Sequence, residues 1–376
     1  MKKILKLSLI ALVLLLASMP LKAQNAASVV GENECCIWYL QDHALYQLGD
    51  EVNVIDIDVE WPEMLSGYAL TTLQTALSNY VFRVEKNNLR DAMAAMKERF
   101  GEPVTSQFKE IPDDHKFCYV DCKLEIISIE PAKYISMRAS YKCKPEKLSS
   151  QKEESKSELI TYDIQNGVVM TAAELLRMGR LQNGYFDEAF IYEVLNNASV
   201  DLPQEIEGLQ LTDACMMGNN VMLTLVCYSA DETVPFFSLI PWDDMSSLLS
   251  KNAKAMMRAD GSNTGTEQLS LPATTFNGTA IEKAEIQPKL DQEIPSVIAP
   301  YLADIQPYDL AQGKTVLTQF VVTDKGVPCD YCVAMTASPS LNRKVVSALR
   351  MLPRFSPATV GGNAVTARVM QRVRIQ

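Results

Sequence analysis

Histidine is nearly absent: His43 and His115 are the only two in 376 residues, and they stand far apart. His-based zinc ligation and a Ser-His-Asp triad therefore have little material to work with, and no metal site or catalytic residue is expected. His115, beside Asp113 and Asp114, reads as a solvated turn residue. The alternating Asp56, Asp58 and Glu60 read as a solvated strand face. There is no Gly-rich phosphate loop, because Gly361-Gly362 has the character of a turn ahead of a strand. After residue 23 no apolar stretch approaches the roughly 20 residues needed to cross a hydrocarbon core. Basic charge is in deficit, with 35 Lys and Arg against 46 Asp and Glu. Phosphate contact needs a basic footprint, so nucleic acid is not an expected partner.

What the chain does have begins at its start. Lys2, Lys3 and Lys6 precede an uncharged apolar run, Leu7 to Met19, which ends at Pro20 with a small residue at Ala23. That is the pattern of a cleavable secretory signal peptide over 1–23, leaving no stable membrane span after cleavage. Cys35 is the first cysteine, so no lipid anchor is expected. Hydrophobic residues at 47% and charged residues at 22% imply packed cores. Charge then divides the remainder. Residues 24–280 carry 20 basic and 38 acidic side chains, residues 281–376 carry 11 and 8, and residues 341–376 hold seven basic and no acidic ones. Two units are expected, 24–255 and 281–376, joined by a Gly, Ser, Thr and Asn-rich linker over 256–280.

The element pattern is α+β. In the first unit the spacing predicts a strand over 52–59, then helices through Leu70, Leu73, Leu77 and Val81, and through Leu89, Met93 and Met96. Ser66 is the expected cap of the first helix. A hairpin over 116–129 and 134–143 follows. A two-residue turn at Ala132-Lys133 would place Cys122 opposite Cys143, which makes them the candidate disulfide. Thr171 and Glu174 form a capping box. A helix near 186–195, a second hairpin (209–216 and 221–228), a strand at 236–240 and a helix opened by Asp243 or Asp244 complete this unit. In the second unit a short helix (295–302) leads to strands over 315–322 and 327–335 around the turn Asp324-Lys325-Gly326. A helix over 341–351 and a last strand follow. In that strand Val365, Ala367, Val369, Val373 and Ile375 face one way, and Thr366, Arg368, Met370, Arg372 and Arg374 the other. Cys329 and Cys332, three apart in a strand, are expected on opposite faces and not as a redox pair.

The run from Gly313 to Gly326, then Leu341, Ala348, Leu352-Pro-Arg-Phe-Ser-Pro357, Gly361-Gly362 and Val365, resembles the TonB C-terminal domain family over about 281–376. The resemblance implies an antiparallel sheet with helices, whose partner is an envelope protein such as a segment of an outer-membrane receptor, met at a strand edge in the periplasm of a Gram-negative cell. Thr366, Arg368, Met370, Arg372 and Arg374 are the expected partner-binding residues. The same arginines also read as a guard against edge aggregation. Energy transduction is not expected, since the family's uncleaved anchor and Pro-rich spacer are missing. Tyr162-Asp-Ile-Gln-Asn-Gly167, Thr171 to Leu176 and Phe237 to Trp242 are similar to the extracytoplasmic domain shared by the RsiV anti-sigma factor and the PdaC deacetylase. The Gly-Gly-Ala-His segment of that domain is absent, so its ligand is not carried over. The expected function is a non-enzymatic periplasmic binding or adaptor protein without cofactor. The alternative is an envelope-stress sensor or inhibitor-type protein that binds lysozyme-like proteins or cell-wall fragments through 24–255.

Overall fold

The computed structural model describes residues 33–104, 116–146, 149, 151–177, 188–261, 264–265, 274–275 and 278–375. The expected signal peptide, His115 and much of the expected linker lie outside them. Two long strands, β1 (Glu34–Leu48) and β2 (Glu51–Leu65), fold back on each other through Gly49 and Asp50. The short β3 (Tyr68–Ala69) precedes helices α1 (Thr71–Phe82) and α2 (Leu89–Glu98) and the short β4 (Glu102–Pro103). Next, β5 (Lys116–Glu130) lies parallel beside β2. A parallel pair needs a crossover, and the two helices belong to it. Antiparallel neighbours β6 (Tyr134–Pro145), β7 (Glu154–Asp163) and β8 (Val168–Met170) complete this part.

Helices α3 (Ala172–Leu175) and α4 (Glu188–Asn196) lead to a separate three-stranded sheet. Its strands are β9 (Gly208–Met217), β10 (Asn220–Tyr228) and β11 (Thr233–Pro241), followed by α5 (Lys251–Arg258). The small pair β12 (Thr274–Thr275) and β13 (Gly278–Thr279) comes next. The C-terminal quarter holds α6 (Ile294–Ile298), two 3-10 turns, β14 (Thr315–Val322), β15 (Pro328–Met335) and α7 (Pro339–Arg350). It ends with β16 (Ala358–Val360), β17 (Asn363–Val365) and β18 (Ala367–Arg374).

This is an α+β fold, but the sheet does not stop at the expected linker. Its order is β18-β14-β15-β1-β2-β5-β6-β7-β8, with β3 on β2 and β4 on β1. Glu34, Ile37, Trp38 and Tyr39 of β1 pair with Met335, Val333, Cys332 and Tyr331 of β15. The last quarter of the chain therefore shares one sheet, and one continuous apolar core, with the first. Residues adjacent on a strand point to opposite faces, and β2 shows the result. Trp61 meets Phe82 of α1, ring centroids 6.1 Å apart, while Glu60 meets Arg343 of α7. Each face is covered by a helix that buries the stripe its spacing predicts: Leu73, Leu77 and Val81 on α1, and Leu341, Val345, Ala348 and Leu349 on α7. The β9–β11 sheet has its own core, in which Leu223, Leu225, Phe236 and Met256 pack with Tyr134 and Leu175.

Local chemistry explains where expected boundaries hold and where they move. The Thr171/Glu174 capping box is present. The turn at Gly326 has its glycine at φ +78°, with Gly326 N–H donating to Thr323 O at 2.8 Å. A Cβ there would sit 2.0 Å from the Phe355 carbonyl oxygen, so the position requires glycine. Ser66, however, does not cap α1. It lies in a turn at φ +51°, and its hydroxyl accepts from Ala132 N–H at 3.0 Å. Asp243 and Asp244 lie in turns, and α5 starts later, where Ser250 Oγ accepts from Ala253 N–H at 3.2 Å.

The pairing of β5 with β6 also departs from expectation. Cys122 falls opposite Tyr141, and Cys143 opposite Val120. The turn holds three residues, with Ala132 in the left-handed region at φ +56°, and a bulge between Ile126 and Ser128 shifts the register once more. Each step moves the pairing by one residue, so the expected Cys122–Cys143 alignment is lost by two. In β15 the alternation rule also fails. Cys329 and Cys332 oppose Val321 and Gln319, because the strand bulges around Asp330 at φ +50°. Two residues, Asp330 and Tyr331, face the single Phe320, which turns both cysteines to the same side of the sheet.

Candidate functional site at the edge of the last strand

The edge of the large sheet is β18, the strand singled out by its arginines. Thr315↔Arg374 through Val322↔Ala367 set its inner register against β14. The backbone groups of alternate residues point inward and outward along such a strand. Ile375 N–H donates to Lys314 O at 2.9 Å, which marks the odd-numbered residues as inward. The outward series is Thr366, Arg368, Met370, Arg372 and Arg374, so main-chain groups and side chains of interest belong to the same five residues.

The first part of this edge is covered by the chain itself. Ile281 N–H donates to Thr366 O at 3.0 Å, and Arg368 N–H donates to Ile281 O at 3.0 Å. Further along, the same segment pairs at Ile286↔Thr359 and Lys289↔Ser356. Arg368 is 8% exposed, and its guanidinium donates to Glu282 Oε1 at 3.0 Å. Thr366 Oγ1 accepts from Asp324 N–H at 3.3 Å. Two of the five expected contact residues are thus occupied within the fold.

Met370, Arg372 and Arg374 are exposed. Beyond Arg368, no strand pairs with the outer side of β18 among the described residues. Arg372 O accepts from the Gln371 side-chain amide at 2.7 Å. The open stretch is therefore three residues of extended backbone, flanked by two exposed guanidinium groups and the thioether of Met370. Arginine at an edge discourages uncontrolled pairing and draws carboxylates toward it.

His43 Nδ1 lies 2.5 Å from Asp56 Oδ1, on an open sheet face beside a surface cavity of about 500 Å³ lined also by Asp58, Asp121 and Lys123. Both members of the pair are more than half exposed, and Asp56 and Asp58 form the solvated face expected of them. No group of three or more His, Cys, Asp or Glu residues with metal-binding geometry occurs among the described residues.

Glu60, expected with Asp56 and Asp58 on the solvated strand face, is instead buried, because α7 covers its end of β2. Its carboxylate accepts from Arg343 Nε at 2.5 Å and from Ile126 N–H at 2.7 Å, and Arg343 also donates to Ile126 O. Burial outweighs these partners and pushes the Glu60 carboxyl up to about 7. Asp213, which accepts from Leu159 N–H at 2.6 Å, is pushed up to about 6, again chiefly by burial. Glu60–Arg343 joins β2 to α7 across the two units expected from sequence, and neither residue type nor spacing signals the pair.

No family model matches the chain, so neither resemblance drawn from its motifs gains a family match. No curated protein matches either. Among solved structures, the chain is similar to a DUF3298 family protein from Pseudomonas aeruginosa PAO1 at 13% identity and a TM-score of 0.30, covering 59% of this chain and 98% of that one. Likeness at that level carries no argument about what this chain does.

Proposed function

We propose that the chain is a non-enzymatic binding or adaptor protein of the periplasm, and that the open half of β18 takes an extended, acidic segment of an envelope protein by strand addition. What supports the reading is one observation: beyond Arg368 the outward backbone groups of β18 have no strand partner among the described residues, while Arg372 and Arg374 stand exposed beside them. Main-chain hydrogen bonds supply affinity in this mode, and flanking side chains choose the partner. The guanidinium pair favours carboxylates and speeds encounter at low ionic strength.

The test compares the intact protein with two variants in capture from envelope extract. Arg372→Pro removes an outward N–H at a position where an edge strand tolerates proline. The double change Arg372→Glu, Arg374→Glu reverses the charge and leaves the backbone intact. Both should lose the same captured protein, and capture by the intact chain should weaken as salt rises. Capture that is indifferent to both variants would remove the edge from consideration.

A further inference from the structure

Eight of the nine cysteines are buried and Cys329 is half-buried. Sulfur atoms meet in two places. Cys36 Sγ lies 3.6 Å from Cys332 Sγ, and Cys118 Sγ lies 3.3 Å from Cys143 Sγ. Neither pair is directly opposite in its ladder. Cys332 faces Trp38, two residues along from Cys36, and Cys143 faces Val120, two residues along from Cys118. Diagonal neighbours sit farther apart at Cβ than opposite ones. Here the side chains have turned toward each other, so closing to the roughly 2.05 Å of a disulfide needs about 1.5 Å of approach. The bulge between Cys36 and Ile37 gives the first pair local freedom to make it.

The other cysteines are placed differently. Cys35 donates to Val333 O at 3.2 Å, and Cys122 faces Tyr141. Cys215 packs with Leu159 and Met222, and Cys227 lies in the core of the β9–β11 sheet.

We propose that Cys36–Cys332 and Cys118–Cys143 are the two disulfides of this chain, closed while it folds in an oxidising compartment. Each closure transfers two electrons to an oxidant of the disulfide class, a dithiol-oxidising protein or glutathione disulfide. A cysteine thiolate, its proton given to solvent, attacks one sulfur of the oxidant, giving a mixed disulfide and releasing a thiolate. The second cysteine, likewise deprotonated, then displaces the oxidant as a second thiolate, and the two leaving thiolates take up the two protons that the cysteines gave to solvent. Exchange needs access, yet Cys36 and Cys143 are only 3% and 4% exposed in the folded protein, and Cys118 and Cys332 are sealed. Closure therefore precedes packing. The Cys36–Cys332 bond ties β1 to β15, and so holds the first strand to the last quarter of the chain. Cys118–Cys143 pins the β5–β6 register.

The full chain is denatured, reduced, refolded in a glutathione redox buffer, then unfolded in denaturant containing iodoacetamide so that buried free thiols are alkylated, and mapped by peptide mass without reduction. The expected map has five alkylated cysteines, Cys35, Cys122, Cys215, Cys227 and Cys329, and two cross-linked peptide pairs, 36 with 332 and 118 with 143. Nine alkylated cysteines, or a bridge between other partners, would overturn the proposal. This readout needs no variant. In parallel, chain folded with its thiols reduced is exposed to the same buffer, and bridge formation there should be at least about 100-fold slower than during refolding. Equal rates would refute closure before packing.

Discussion

The buried carboxyl of Glu60 makes stability depend on pH in a direction opposite to that of an ordinary ion pair. Its folded-state value is about 7 against 4.5 for the free side chain. Between those two limits the folded protein holds a proton that the unfolded chain has released, so stability falls as pH rises. The contribution is fully present below about pH 4.5 and is lost by pH 7 to 8. The gap between about 7 and 4.5 corresponds to about 3 kcal/mol. The perturbation is Glu60→Gln, which mimics the protonated form and keeps an oxygen to accept from Ile126 N–H. The assay is urea denaturation at pH 5, 6, 7 and 8, followed by tryptophan fluorescence, since Trp38 and Trp61 lie in the core that contains β1 and β2. Asp213 contributes a slope of the same sign in both proteins, so the difference between them isolates Glu60. The variant should gain about 2.5 kcal/mol relative to the unaltered chain between pH 5 and pH 8, since part of the full effect already lies below pH 5. Parallel curves would refute the reasoning, and would mean that Arg343 holds Glu60 ionised throughout.

Three other outcomes follow from the same geometry. Gly326→Ala should destabilise by more than about 1 kcal/mol, read as a lower urea midpoint, because the new Cβ meets the Phe355 carbonyl at a left-handed backbone position. Asp213→Asn should flatten the part of the stability profile between about pH 4 and pH 6, visible in the same titrations, since its folded value of about 6 lies above the free one of 3.8. Closing the Cys36–Cys332 loop, which spans 296 positions, should raise stability by at most about 5 kcal/mol over the reduced chain, measured in a Cys118→Ala, Cys143→Ala variant as the shift in denaturant midpoint after refolding with and without oxidant.

The C-terminal elements were legible because local chemistry speaks for them: strands β14 and β15 flank a turn whose glycine is sterically required, and α7 carries an apolar stripe at helical spacing. The strand β1 was not. Cys35 to Tyr39 are buried on both faces, so they show no alternation, and Ala44 to Leu48 are only partly covered. What defines β1 is its neighbours, β2 on one side and β15 on the other, and the second of these lies nearly 300 positions away. The cysteine alignment failed for a related reason. One left-handed alanine and one bulge, each invisible to periodicity, moved the register by two. At the candidate edge the pattern of facing residues was readable, but the withdrawal of Arg368 depended on Glu282, a partner supplied from outside the strand.

The position of β1 between β15 and β2 also governs the order in which the molecule can be assembled. Among the described strands it is the first to emerge during synthesis, and β2 can pair with it at once through the two-residue turn at Gly49 and Asp50. Its other flank, Glu34 to Tyr39, must wait until almost all of the chain has followed. Contacts of such long sequence separation form late and slow the final step of folding. During that interval the waiting flank is an unpaired apolar edge, open to the wrong strand of the same chain or of another. A chain interrupted before β15 keeps that flank bare for good, so loss of the last quarter endangers the half of the molecule that is already made.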